Sequence, residues 1–113
     1  MDIDVADVLE KAADHIRNGW TQGRAFEAVD GKVHCCAEGA LGLATGAQVA
    51  LDGASSYWTK FMQADLWADA MEALENYVGD DVDAWNDAIG QTQDRVADTM
   101  LRLAKELRNN GST

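Results

Sequence analysis

The chain has no proline, and it has no lysine or arginine between Phe61 and Asp94. The first absence leaves glycine and short polar groups to punctuate the chain. The second leaves a run of more than thirty residues whose only side-chain charges are negative. Long apolar runs are missing too. None approaches the roughly 18–20 residues that a membrane span requires. The N-terminus, M-D-I-D-V-A-D, is acidic, where a secretory signal begins basic and then turns apolar. A cytoplasmic location is therefore expected. Cysteine is limited to Cys35 and Cys36. Adjacent cysteines rarely bridge each other, so no disulfide framework is present to staple the fold. Internal repeats and low-complexity linkers are also lacking.

What remains is a short, acidic, globular sequence. With 113 residues and 47% hydrophobic content, one domain with its own core is expected. Twenty acidic against nine basic residues give a net charge of −11. Such a field repels nucleic acid and anionic lipid. Neither direct nucleic-acid binding nor membrane binding is expected, and a direct nucleic-acid binder would show a basic patch. The densest basic group, Arg102, Lys105 and Arg108, falls at the end of a helical pattern. There it complements the helix dipole.

The expected fold is mainly α: a compact bundle of about five helices around a second helix rich in small residues, with one short hairpin near 25–35. Asp4 and Asp7 mark the start of the first helix, with Ile3 and Val8 as a hydrophobic staple. Val8, Leu9, Ala12, Ala13 and Ile16 form its apolar stripe. Gly19 fits a helix stop, after which Trp20 folds back on the core. Asp30-Gly31 is a favoured two-residue hairpin turn, which pairs 25–29 with 32–35. The second helix runs from Cys35 to Ala44 and ends at Gly46. Each glycine inside it costs about 1 kcal/mol relative to alanine, so Gly39 and Gly42 imply that another backbone passes close by. Residues 47–51 extend this helix or form a further turn. A third helix is expected over 57–78, with Trp58, Phe61, Met62, Leu66, Met71, Leu74, Tyr77 and Val78 on its apolar face. A short helix follows at 81–88, capped by Asp80 or Asp81 and broken by Gly90. Thr92 caps a final helix over 93–109, with Val96, Met100, Leu101, Leu103, Ala104 and Leu107 inside.

Three stretches, G-W-T-Q-G (19–23), C-A-E-G-A-L (36–41) and W-N-D-A-I-G-Q-T (85–92), resemble the marks of a small uncharacterised domain family of actinobacteria and their phages. Its pattern is G-W-x-x-G, C-A-x-G-A-L and W-N-D-x-x-G-R-T. The resemblance covers roughly residues 5–108. It implies a mostly helical fold, a phage or actinobacterial origin, a host cytoplasm if phage-encoded, and no particular activity. Gln91 stands where the pattern has arginine, and His34 and Cys35 lie outside it.

Four features carry candidate chemistry. The His34-Cys35-Cys36 cluster could hold a metal, but zinc sites favour C-x2–4-C pairs whose thiolates converge. Neighbouring helical residues point about 100° apart. No metal and no cofactor is expected. A thiol nucleophile at Cys36, with His15 or His34 as base and Asn86 or Asp87 as orienter, is the enzymatic alternative. The favoured reading is packing, with Cys36 inward and Cys35 partly exposed. The acids of 79–87 lack the glycine and glutamate of a calcium loop. They read as caps and solvated charges. Asp65, Asp69, Glu72 and Glu75 recur at helical spacing without interleaved cations, although like charges so placed each cost a few tenths of a kcal/mol. That one-sidedness points to a protein partner with a basic surface. Trp67 is expected as an exposed anchor beside the acids, while Trp58 and Trp85 fill the core. The function expected is thus a non-enzymatic acidic protein-binding module. The alternatives are a DNA mimic using the third helix, the Cys36 enzyme, and a homodimer paired through the third helix.

Overall fold

In the computed structural model, the described backbone covers residues 4–52 and 55–111, and side chains are described outside 51–58 and 111. The elements run α1 (Val5–Asn18), β1 (Phe26–Val29), β2 (Lys32–Cys35), α2 (Ala37–Ala44), β3 (Gln48–Asp52), β4 (Ser55–Lys60), α3 (Ala64–Val78), α4 (Val82–Asp87) and α5 (Gln93–Gly111). The fold is mainly α, with five helices as expected.

Helix α1 starts where its cap residues place it. Asp4 Oδ1 accepts from Asp7 N–H at 2.8 Å, satisfying one of the helix's orphan donors. The Ile3 half of the hydrophobic staple lies outside the described residues. Val8, Leu9, Ala12, Ala13 and Ile16 are completely buried. Ladders of charge tie this helix to α5. Arg17 pairs with Asp98 at 2.6 Å and Asp94 at 4.0 Å, and Arg108 reaches Asp7 and Glu10. Arg108 therefore serves an inter-helix contact beyond dipole complementarity. Between these ends Val96, Ala97, Met100, Leu103 and Ala104 of α5 complete the core, whereas Leu101, expected inside, is 36% exposed.

The hairpin β1–β2 pairs Phe26 with Cys35 through Val29 with Lys32. Its turn puts Asp30 at φ 52° and Gly31 at φ 75°, the left-handed pair that Asp-Gly allows. Trp20 adds a parallel bridge to Cys35. The residue that ends α1, Gly19, has φ 168°, an extended conformation open to any residue. It stops the helix as expected, its N–H bonded to the His15 and Ile16 carbonyls. A Cβ there would lie 2.8 Å from the His34 ring, so glycine is needed for space.

The second helix begins at Ala37, after Cys36 as N-cap. Gly39 confirms the close-backbone expectation, because a Cβ on it would stand 2.4 Å from the Ala25 carbonyl oxygen. Residues 48–60 depart from expectation. They form a second antiparallel hairpin, pairing Val49 with Trp58 and Asp52 with Ser55, so the third helix starts at Ala64 and not at 57. Tyr57, Trp58 and Thr59 are strand-favouring types. The Trp58 side chain, expected in the core, lies outside the described side chains.

Helix α3 is more shallowly seated than its apolar residues imply. Only Ala70 and Leu74 are buried among its described residues. Leu66, Trp67, Met71 and Val78 pack partly against the core. Phe61, before the helix, is 74% exposed, and Tyr77 is 39% exposed. No described helix is long and apolar enough to cross a membrane.

Candidate functional site

Two regions collect the polar residues singled out in the sequence. The first is the N-terminal end of α2, where all three motif stretches meet. Asn86, on the short helix α4, is fully buried. Its Oδ1 accepts from Trp20 Nε1–H at 2.8 Å and from the Ala37 N–H at 3.0 Å. Its Nδ2 donates to the Thr21 carbonyl at 3.1 Å and to Asp87 Oδ1 at 2.9 Å. One amide therefore joins the loop after α1, the first turn of α2 and its own helix. Asp87 Oδ1 also accepts from Gly23 N–H at 2.9 Å. Gln22 Nε2 donates to the Asn86 carbonyl at 3.0 Å. Gln91 Nε2 donates to the Trp85 carbonyl at 2.9 Å. Asp87, expected as a solvated charge, thus bonds the 20–23 loop, and Asn86 bonds both that loop and α2.

The cysteines fall inside this junction. Cys36 Sγ accepts from Gly39 N–H at 3.4 Å, so a thiol caps α2. Cys35 Sγ faces the Gly19 carbonyl at 3.7 Å. Cys35 is 1% exposed and Cys36 4%, so the expectation of a partly exposed Cys35 is corrected. Burial pushes the Cys35 thiol up to about 12. It pushes Cys36 to about 11 despite backbone N–H groups at the helix start that favour the thiolate. His34 Nδ1 lies 3.4 Å from the Trp20 carbonyl. His15 lines a cavity beside Ala44 and Thr45 at the C-terminal end of α2, and burial lowers its pKa. An eight-residue helix separates that end from Cys36, about 12 Å at 1.5 Å per residue. Among the described residues, Cys36 makes no hydrogen bond with His15 or His34. Among the described residues, no three His, Cys, Asp or Glu side chains are grouped to hold a metal ion.

Beside Cys36 lies a small cavity of about 130 Å³, lined by Arg24, Glu38, Asp83 and Asp87 among others. Burial first, then a hydrogen bond with Asp83 and the charges of Asp83, Asp81 and Glu75, raises the Glu38 carboxyl to about 7. Glu38 sits in the first turn of α2, where the helix dipole favours an anion. Burial and the surrounding acids win over it.

The second region is the outer side of α3. A groove of about 520 Å³ runs between α3 and α5, lined by Asp69, Glu72, Ala73, Asn76 and Tyr77 on one side and Leu103 and Leu107 on the other. Asp65, one turn before Asp69, continues the exposed acidic edge. Glu75 departs from it. It is half-buried and its Oε2 accepts from Val82 N–H at 3.3 Å, capping α4. The four acids of the sequence pattern thus divide into three on the exposed edge of α3, of which Asp69 and Glu72 line the groove, and one at a helix start. Trp67, expected as an exposed anchor, is half-buried against the core, its Nε1 reaching the Glu38 carbonyl at 3.5 Å. Tyr77 takes the exposed aromatic position in its place. Its hydroxyl faces Glu106, which raises the phenol's pKa.

The chain belongs to a family of unknown function, DUF6197. The family's model matches residues 1–106. The family description carries no activity. No curated protein and no solved structure matches the chain.

Proposed function

We propose that this DUF6197 member is a non-enzymatic protein-binding module that presents the acidic outer edge of α3 to a partner with a basic surface. The observation that carries this reading is the state of the α3 acids. Among the described residues, Asp65, Asp69 and Glu72 take part in no ion pair, whereas Arg17 and Arg108 are each drawn into paired contacts between α1 and α5. The α3 edge therefore keeps its negative charge unpaired on an exposed helix face. Beside it lies an apolar groove, the combination found where a charged rim surrounds a desolvated contact. The resemblance to a family of actinobacteria and their phages extends the proposal to a phage-encoded modulator of a host protein, acting in the host cytoplasm.

The test is affinity capture from actinobacterial lysate with two baits: the natural chain, and a variant carrying Asp65→Lys, Asp69→Lys and Glu72→Lys. Capture is run at low and high salt and read by mass spectrometry. The expected result is a partner enriched by the natural chain, lost at high salt and lost with the variant. Identical capture by both baits defeats the proposal.

A further inference from the structure

We infer that the groove between α3 and α5 is a docking site for a basic amphipathic helix of a partner protein. This rests on the protein-binding reading and adds the partner's chemistry and its seat. The floor is apolar: Leu103 and Leu107 of α5 meet Ala73 of α3, with the Tyr77 ring at one end. Leu107 and Ala73 are only partly covered by the protein itself, so apolar surface remains to be buried. The α3 lining residues recur at 69, 72–73 and 76–77, three successive turns of one helix face, or roughly 12 Å at 1.5 Å per residue. A trough of that length accepts two or three side chains spaced at i, i+3/i+4 and i+7, the helix-in-groove mode of recognition.

Charge then selects among helices. The α3 edge carries Asp65, Asp69 and Glu72, while the α5 edge is mixed, with Arg102 and Glu106 both near Tyr77. A helix with lysine or arginine along one flank of its apolar stripe would set that flank on the α3 edge and its stripe on the leucines. An acidic helix would face like charge. A second copy of this chain would bring a second acidic edge to the same groove, since a two-fold contact joins the same patch of both chains, each carrying −11. Nucleic acid is repelled in the same way.

The probe is a fluorescein-labelled Leu/Lys peptide of about 15 residues with leucines at helical spacing. Its controls are a scrambled isomer of the same composition and a Leu/Glu counterpart. The full chain is titrated into each, with anisotropy and backbone amide shifts as readouts. The striped peptide is expected to bind at least ~10-fold tighter than its scramble, gaining helix, and to shift amides of 69–77 and 103–107. Tyr77→Ala and Glu72→Lys are each expected to weaken it by about 10-fold. Asp14→Lys, an equal charge change on the exposed side of α1, is expected to weaken it less than about 2-fold. Equal binding of stripe and scramble, with Glu72→Lys still weakening both more than Asp14→Lys, overturns the groove and leaves the acidic-edge reading standing. Shifts confined to another face overturn both. A dimer in sedimentation that Tyr77→Ala dissociates places a second copy in the groove and overturns the inference. Failure of both basic peptides at low salt overturns the inference and the binding reading together.

Discussion

The two polar regions of this protein are built on opposite principles. At the α2 junction, one buried amide satisfies two donors and two acceptors, and no buried described side-chain nitrogen or oxygen lacks a partner. At the α3 edge, Asp65, Asp69 and Glu72 stand exposed, and the last two line a groove with an apolar floor. The junction therefore holds the fold together, and its residues have little left to offer a ligand. The α3 edge contributes little to the fold and keeps its bonding capacity for something else. The three motif stretches that mark the chain meet in the first region and are absent from the second.

The largest effect expected from breaking this contrast is at Asn86. Asn86→Ala strands the Ala37 N–H, the Trp20 indole and the Thr21 carbonyl inside the protein. Each buried unsatisfied group costs about 1–3 kcal/mol, so a loss on the order of 3–5 kcal/mol is expected in urea denaturation. Gly39→Ala comes next. Its methyl meets the Ala25 carbonyl, a backbone atom that cannot rotate away, and overpacking of this kind costs about 1–3 kcal/mol. A native-like midpoint for either variant would remove the junction from its structural role.

A pH effect follows from Glu38. Its carboxyl titrates near 7 in the folded chain against an ordinary value of 4.5, so the folded state holds the extra proton between these values. Its contribution to stability is complete below about pH 4.5 and is lost as pH rises through about 7. Glu38→Gln keeps a neutral side chain at every pH. Its unfolding free energy should therefore lie level with the natural chain at acid pH and above it at pH 8. Parallel curves across that range would disprove the link. The thiols give a further check on the junction. With burial raising both, Cys35 and Cys36 should react with a disulfide reagent only as fast as the chain unfolds.

The smallest effect sharpens the contrast from the other side. Asp69→Lys places a cation between Asp65 and Glu72 at helical spacing, replacing repulsion with attraction. It should change stability by only a few tenths of a kcal/mol, in the favourable direction, while abolishing capture of a basic partner. A destabilised Asp69→Lys would mean that the acid edge belongs to the fold after all.

Local signals determined much of this architecture. The Asp4 cap, the α1 stripe, the Asp30-Gly31 turn and the Thr92 cap, whose Oγ1 accepts from Arg95 N–H at 3.1 Å, each depend on residues within four positions of one another. Those rules operate before any tertiary contact forms. The second hairpin escaped because the apolar run at 57–62 also fits a helical stripe, and short runs are ambiguous between the two periods. What sits outside was legible in charge alone: an acidic edge without cations is visible in the order of residues. Which of those acids faces the groove, that Tyr77 and not Trp67 is the exposed aromatic of α3, and that Asn86 bonds Trp20 sixty-six residues away were decided only by the tertiary structure. The reason is physical. A side chain's surroundings at the junction and in the groove come from elements distant in the chain, and no local pattern encodes which of them will arrive.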